Sequence, residues 1–220
     1  MWDKEMIIML AEGTADTLYM TLVSTLFGYI LGLPMGILLA VTDKEGIRPN
    51  SFIYKVLDFT ANLIRSIPFL ILLILVIPVT KAIVGKSYGP SGTVVPLVIA
   101  AAPFIARLVE SSLKEVDHGV VEAAMSMGAG TGQIIWKVML AEARTSLLVG
   151  VTIAIGTILG YSAMAGVVGG GGLGDIAIRY GYYRYETDVM VVTIVILVLL
   201  VQILQGLGML LSKKLDRRRA

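Results

Sequence analysis

The fold is decided by the stretch Glu122-Ala123-Ala124-Met125-Ser126-Met127-Gly128, which lies between two long apolar stretches of the chain. Glu and Ala favour the body of a helix, whereas the glycine-rich run from Gly128 to Gly132 favours a break. We expect Thr131 to cap a second short helix. Four apolar residues follow it at helical spacing, namely Ile134, Ile135, Val138 and Met139. The stretch therefore predicts two short helices that form a compact knob.

This knob has the chemistry of a docking element. Small residues such as Ala123 and Ala124 allow close approach to a groove on a partner, and Glu122 offers a carboxylate to a backbone amide or a basic side chain there. The alternative is a solvated surface helix, since exposed acidic residues are common on helices.

Composition places the knob in a membrane protein. The chain has 220 residues, of which 56% are hydrophobic, and its mean hydropathy is +0.85. A helix needs about 20 apolar residues to cross a bilayer. Five stretches reach that length: 17–41, 56–79, 94–113, 146–168 and 189–211. We therefore predict an all-α membrane protein with a single membrane domain over residues 1–220, whose knob, at about 117–141, joins the third and fourth spans.

The basic residues predict the orientation, because they mark the cytosolic side of a membrane protein. With five spans, eleven Lys and Arg residues fall on one side and five on the other. The richer side holds Lys44, Arg48, Lys55, Lys114, Lys137, Arg144, Lys213, Lys214, Arg217, Arg218 and Arg219, and the poorer side holds Lys4, Lys81, Lys86, Arg179 and Arg184. This count predicts an extracytoplasmic N-terminus, a cytosolic C-terminus and a cytosolic knob.

Residues inside the predicted spans indicate bends and close packing. The first span contains Gly28, Gly32 and Gly36, which let another helix approach its backbone. Arg107 and Glu110 form an i, i+3 pair that we interpret as structural. Asp117 is expected to cap the first short helix of the knob.

Two groups of residues are candidates for a translocation path or gate. Ser66, Pro68 and Phe69 lie at an expected bend of the second span, and Tyr161 and Met164 place a polar aromatic beside a flexible side chain in the fourth. Ordinary helix packing is the alternative for Phe69 and Met164.

Composition and motifs exclude several kinds of site. The four glycines from Gly169 to Gly172 are not followed by Gly-Lys-Ser/Thr, which excludes a Walker A loop and favours a mobile or tightly turned loop. The chain has no cysteine and a single histidine, His118, so it has no disulfide, no thiolate metal site and no histidine metal cluster. We predict no metal site and no catalytic residue on this chain.

The knob resembles the EAA loop of ABC importer permeases, in which Glu122, Gly128 and Leu140 match the pattern and Ala141 replaces the usual Pro. Three further segments resemble the permease subunit of methionine ABC importers. They are Arg65-Ser66-Ile67-Pro68-Phe69, Ala102-Pro103-Phe104-Ile105-Ala106-Arg107 and Gly160-Tyr161-Ser162-Ala163-Met164, the last with the Gly-Gly-Leu-Gly and Tyr-Gly-Tyr that follow. The resemblance extends over nearly the whole chain.

The resemblance implies a type I ABC importer permease in the cytoplasmic (inner) membrane of a prokaryote. It implies a homodimer of this chain, two ATPase subunits that carry ATP and Mg, and an extracytoplasmic substrate-binding protein or lipoprotein. Membrane lipid would surround the spans, and no nucleic acid is expected as a partner. Residues Glu122, Ala123, Ala124, Gly128 and Leu140 would couple the permease to its ATPases.

Four alternatives remain open from the residues alone. They are a permease for another small organic solute, an ion-coupled secondary transporter, a membrane-embedded enzyme and a structural membrane subunit. An ion-coupled transporter is expected to hold acids deep in its spans, whereas Asp58 and Glu110 lie near predicted cytosolic ends. A membrane enzyme would need a recognisable set of reactive groups, which one histidine hardly supplies.

Overall fold

The computed structural model describes residues 4–215, and within that range all regular secondary structure is helical. The helices are α1 (Lys4–Thr42), α2 (Ser51–Ser66), α3 (Phe69–Leu75), α4 (Ile77–Val84), α5 (Gly89–Lys114), α6 (His118–Ser126), α7 (Thr131–Gln133), α8 (Leu140–Glu142), α9 (Arg144–Ala165), α10 (Gly172–Ile176) and α11 (Thr187–Leu215). Two π-helical turns, Ile134–Met139 and Ala177–Tyr182, follow α7 and α10, and a 3-10 turn, Gly166–Val168, follows α9. The predicted all-α class is confirmed. Arg217, Arg218 and Arg219, used in the orientation argument, lie outside the described residues.

Four helical segments among residues 4–215 are long and apolar enough to cross a membrane: Lys4–Thr42, Gly89–Lys114, Arg144–Tyr182 and Thr187–Lys214. A fifth span exists only if α2 and α3 are counted together, and that pair is bent by 103°. The predicted span 56–79 is therefore interrupted at its expected bend. Its first piece ends at Ser66, and Pro68, which has no N–H to donate, precedes α3. The five-span count stays a prediction.

Short polar segments terminate and start the helices. Asn50 caps α2, because its Oδ1 accepts hydrogen bonds from the backbone N–H groups of Phe52 and Ile53, each at 3.1 Å. Gly85 ends α4 in the left-handed conformation, with φ +81°. Both are local signals that the sequence carries.

The described chain divides into two compact units, and each long span contributes to both. The first comprises Met1–Gly28, Ile67–Ala101 and Ile155–Gln205. Its apolar core contains Leu10, Leu173, Ile176 and Val189. The glycine run lies here as a tight turn: the N–H of Gly170 donates to the carbonyl of Ala165 at 2.9 Å, and the N–H of Leu173 donates to Thr17 Oγ1 at 2.9 Å. Of the two predicted forms of this loop, the structure shows the tightly turned one.

The second unit comprises Tyr29–Ser66, Ala102–Ala154 and Gly206–Ala220. Within it α1 packs closely on α5 through glycines. A Cβ added to Gly32 would lie 2.6 Å from the carbonyl oxygen of Ala102, and one added to Gly36 would lie 2.6 Å from Val109 Cβ. The predicted close helix approach is thus confirmed at Gly32 and Gly36. The predicted Arg107–Glu110 pair is also present in this unit, at 2.7 Å.

Candidate functional site

The first half of the knob is an N-capped helix. Asp117 Oδ1 accepts a hydrogen bond from the N–H of Gly119 at 2.7 Å, which confirms the predicted cap of α6. The carboxylate of Glu122 points away from the protein interior, since the residue's side chain is 69% exposed, and it lies 4.0 Å from His118 Nδ1. Ala123 is also exposed, whereas Ala124 is buried. The Glu-Ala-Ala triplet therefore has an outer face and an anchored inner residue.

Gly128 turns the chain sharply at the end of α6. Its φ is +80°, and the N–H of Gly128 donates to the carbonyl of Met125 at 2.9 Å while the N–H of Ala129 donates to the carbonyl of Ala124 at 3.1 Å. These two bonds with a left-handed residue between them form a Schellman motif, for which glycine is strongly preferred. The predicted break at Gly128 is confirmed, and its cause is the backbone conformation.

The second half of the knob begins differently from the prediction. Gly130 is the N-cap of α7, and its N–H donates to Gln133 Oε1 at 3.0 Å. The prediction of a Thr131 cap is wrong, because Thr131 is the first residue of the helix and its hydroxyl accepts a hydrogen bond from Arg48 Nε at 3.1 Å. Tertiary contact with the loop between α1 and α2 therefore uses the hydroxyl that a cap would need.

A π-helical turn sets which side of the second half faces inward. Ile134 and Met139, five residues apart, are both buried, as suits the i→i+5 repeat of a π-helix. Leu140 is half-buried at the start of α8. The chain stays helical from Thr131 to Glu142, and α9 begins at Arg144. Ala141 lies inside this helical segment, at the position where EAA loops usually have Pro.

The knob also exposes apolar side chains that were not among the predicted site residues. Met127 is 81% exposed and Trp136 is 67% exposed, and Val120 and Met125 are exposed as well. A tryptophan and a methionine left this open are typical of the centre of a protein interface. The sequence did carry a signal for this exposure, because the helical repeat of residues 134–139 puts Trp136 on the side opposite Ile134.

Two of the five candidate path residues contact each other. Phe69 and Tyr161 are brought together, with parallel rings whose centroids are 4.6 Å apart. Pro68 is the N-cap of α3, and its carbonyl accepts hydrogen bonds from the N–H groups of Ile71 and Leu72. Ser66 ends α2 and donates its hydroxyl to the carbonyl of Asn62 at 2.7 Å. Met164 lies one turn beyond Tyr161 on α9 and is 48% exposed.

A cavity of about 220 Å³ adjoins the knob in the second unit. Its lining includes Asp43, Lys114, His118 and Met139, and none of the predicted site residues. The hydrogen bond from Lys114 lowers the pKa of Asp43 below its ordinary value. Asp43 therefore stays ionised, and paired with Lys114, at neutral pH.

Comparison with known proteins gives concordant matches. The family model described as "Binding-protein-dependent transport system inner membrane component" matches residues 32–219. The "Probable D-methionine transport system permease protein MetI" of Vibrio cholerae is 50% identical over 210 residues, which cover 96% of this chain and 93% of that protein. The "Methionine import system permease protein MetP" of Bacillus subtilis is 44% identical over 207 residues, which cover 94% of this chain and 93% of that protein.

The fold also matches a solved structure. A chain in an inward-facing structure of the MetNI methionine ABC transporter has a TM-score of 0.96 with this protein and is 45% identical to it. The match covers 98% of this chain and 100% of that one. The similarity therefore extends over all the described helices and is not confined to the knob.

Proposed function

Because the chain belongs to the family of binding-protein-dependent transport system inner membrane components, we propose that it is the permease subunit of an ATP-driven importer of methionine. The observation that carries the proposal is the near-complete match, at 45% identity and a TM-score of 0.96, to a chain of a methionine ABC transporter. Relatives named for methionine transport in two bacteria support the same substrate. The chain is a multi-pass protein of the inner membrane.

The working importer contains two copies of this chain, two ATPase subunits and an extracytoplasmic binding protein or lipoprotein that delivers methionine. ATP and Mg bind to the ATPase subunits, and this chain supplies the path through the membrane. The knob and the C-terminus face the cytosol, and the N-terminus lies outside. The charge bias supports this orientation, and Lys213 and Lys214 in the last turn of α11 contribute to it.

The knob couples ATP hydrolysis on the ATPase subunits to movement of the permease. Glu122, Ala123, Ala124, Gly128 and Leu140 form the docking element, in which exposed Glu122 meets the ATPase and buried Ala124 anchors α6 to the permease. The exposed apolar side chains of Met127 and Trp136 support a docking role, because they become buried when a partner covers them. When ATP draws the ATPases together, the knob moves with them, the path opens outward, and hydrolysis resets it.

The membrane path is closed near the Phe69–Tyr161 stack. Parallel aromatic rings in contact leave no room for a solute between them. Pro68 gives α3 a start that is independent of α2, so Phe69 is able to move with its short helix. Met164, one turn beyond Tyr161 on α9, flanks this gate, and Ser66, the last residue of α2, is a further path residue.

An ion-coupled transporter is disfavoured by the pairing of the acids near the spans. Asp58 is in an ion pair with Arg107, and Glu110 pairs with both Arg107 and Lys114. Both carboxylates are thus already paired with cations of the protein, whereas a coupling ion needs a carboxylate that it can pair with itself.

Reconstitution tests the proposal. The chain is expressed with its ATPase, purified as a complex and placed in vesicles with the binding protein and labelled methionine. We expect uptake that requires ATP, and loss of ATPase co-purification in Glu122→Lys but not in Glu12→Lys, which reverses an exposed acid on α1. Methionine uptake driven by an ion gradient without ATP would overturn the proposal, and a preference for another solute would overturn the substrate.

A further inference from the structure

Five charged side chains form a continuous chain of ion pairs in the second unit. In order they are Asp43, Lys114, Glu110, Arg107 and Asp58, and we call them the charge network. Lys114 Nζ lies 2.8 Å from Glu110 Oε1, and Arg107 Nη1 lies 2.7 Å from Glu110 Oε2. The outer pairs, Asp43 with Lys114 and Asp58 with Arg107, are in direct contact.

Glu110 is the centre of the charge network. The residue is only 5% exposed, and each of its two carboxylate oxygens accepts a hydrogen bond from a different cation. The hydroxyl of Tyr54 adds a longer bond of 3.3 Å to Oε1. A buried ion pair contributes little net stability compared with well-packed apolar residues, because desolvation offsets the attraction. The ion pairs of Glu110 instead hold the structural elements that they join in one arrangement.

One end of the charge network adjoins the knob. Lys114 is the last residue of α5, and α6 begins at His118. Lys114 also holds Asp43, the first residue of the loop between α1 and α2. The same loop carries Arg48, which donates to the Thr131 hydroxyl in the second half of the knob. The knob is therefore tied to this end of the network on both of its sides, through the chain at α6 and through Arg48 at α7.

The other end of the charge network holds α2. Arg107 contacts the Asp58 carboxylate and donates to Asn62 Oδ1 at 3.0 Å. Asp58 and Asn62 lie one turn apart, and Asn62 is one turn before Ser66, where α2 ends. A displacement of the end of α5 therefore acts on the segment of α2 that leads to Pro68. Among the described residues, the ion pairs that link Lys114 to Arg107 both involve Glu110, and Tyr54 of α2 lies beside the same cluster, with its ring centroid 5.7 Å from Lys114 Nζ.

We propose that Glu110 is a positioning residue for the coupling of ATP hydrolysis to transport, and that the charge network makes α2 follow the knob. The inference rests on the proposed function, since it assumes that ATPases move the knob. Neutralising Glu110 leaves α6 and the docking surface in place but removes the carboxylate that orients the Lys114 side chain toward Asp43 and the Arg107 side chain toward Asp58. ATP is then hydrolysed with less methionine carried per turnover.

The test compares Glu110→Gln with Glu115→Gln in the reconstituted importer. Glu115 follows the last residue of α5, is exposed and has no ion pair with another described residue, so it undergoes the same chemical change outside the network. We expect Glu110→Gln to assemble, to hydrolyse ATP, and to carry about tenfold less methionine per ATP, within the usual range of couplings between sites. Glu115→Gln should match the wild type.

A second pair of variants tests the inference even if Glu110→Gln fails to fold. Asp58 is more exposed than Glu110, so Asp58→Asn removes the ion pair between α2 and Arg107 without neutralising the buried carboxylate. We expect it to lower methionine carried per ATP, and Asp58→Glu, which keeps the carboxylate, to restore part of it. A purely structural role predicts that the melting temperature falls while the methionine-to-ATP ratio is unchanged.

Because the chain has no cysteine, introduced cysteines can be spin-labelled selectively to follow motion directly. Spin labels are attached at Lys55→Cys on α2 and Lys137→Cys on the knob, both exposed positions outside the docking element. In the wild-type background ATP should change the orientation or mobility of the α2 label, and Glu110→Gln should abolish that change while the knob label still responds. An unchanged ratio and an unchanged α2 response in Glu110→Gln, with the wild type active, would overturn the inference alone. A wild type without ATP-driven uptake would overturn the proposed function, and the inference with it.

Discussion

Phe69 and Tyr161 stack face to face, with ring centroids 4.6 Å apart and planes inclined by only 3°. Phe69 is the first residue of α3, and Tyr161 lies near the end of α9. Pro68 is the N-cap of α3 and so comes directly before Phe69 in the chain. The stack therefore holds the start of α3 against α9.

Loss of this stack should weaken closure of the path. An aromatic pair contributes about 0.5–1.5 kcal/mol beyond its buried area, so Tyr161→Ala should increase methionine leak without ATP by up to about tenfold. Tyr161→Phe keeps the ring and should stay near the wild type. Efflux from methionine-loaded vesicles measures the leak. Met164→Ala, at an exposed position, should have the smaller effect, and wild-type transport and leak in both alanine variants would show that the pair is ordinary packing.

Gly128 should be sensitive to substitution through its backbone alone. A Cβ at this position would meet no atom within 4 Å, but the φ of +80° costs a residue with a side chain about 1–2 kcal/mol. Gly128→Leu should therefore disturb the turn between α6 and α7 and lower transport-linked ATPase activity. Gly132→Leu is the matched control, because Gly132 lies inside α7 without a positive φ, and an added Cβ there would also meet no atom within 4 Å. Equal activity in the two variants would contradict a role of the turn in coupling.

Trp136 should contribute to ATPase docking. A tryptophan at the centre of an interface typically costs 2 kcal/mol or more when truncated, so Trp136→Ala should weaken the permease–ATPase complex by roughly thirtyfold. Tyr88, also 67% exposed but located before α5, gives the control Tyr88→Ala. Titration of purified ATPase onto detergent-solubilised permease measures the affinity. An unchanged affinity in Trp136→Ala would place the docking surface on another face of the knob.

Gly36 should tolerate no side chain. A Cβ there would lie 2.5 Å from the carbonyl oxygen of Ala106 and 2.6 Å from Val109 Cβ, so α1 and α5 would have to separate. Overpacking of this kind costs about 1–3 kcal/mol, and Gly36→Ala should lower the melting temperature in detergent. The helical control Gly206→Ala meets no atom within 4 Å and should be neutral or slightly stabilising. Unchanged melting of Gly36→Ala would mean that the helices adjust without cost.

The sequence predicted most of the helical architecture, because the signals were local. Apolar length marks the spans, Asp117 caps α6, and Gly128 breaks the chain where a left-handed residue is needed. The resemblance to ABC importer permeases predicted the family to which the chain belongs. The interruption of the second span was foreseen as a bend at Pro68, but the separate helices α3 and α4 were not.

The amino-acid sequence by itself determined that the chain is helical, that it belongs in a membrane, and where the knob between α5 and α9 turns, since hydrophobicity and backbone sterics act over a few residues. Only the tertiary structure decided that Thr131 bonds Arg48 instead of capping α7, that Phe69 stacks on Tyr161, and that Asp58 pairs with Arg107. These contacts join residues far apart in the chain, and their existence depends on how whole helices pack, which no local pattern specifies.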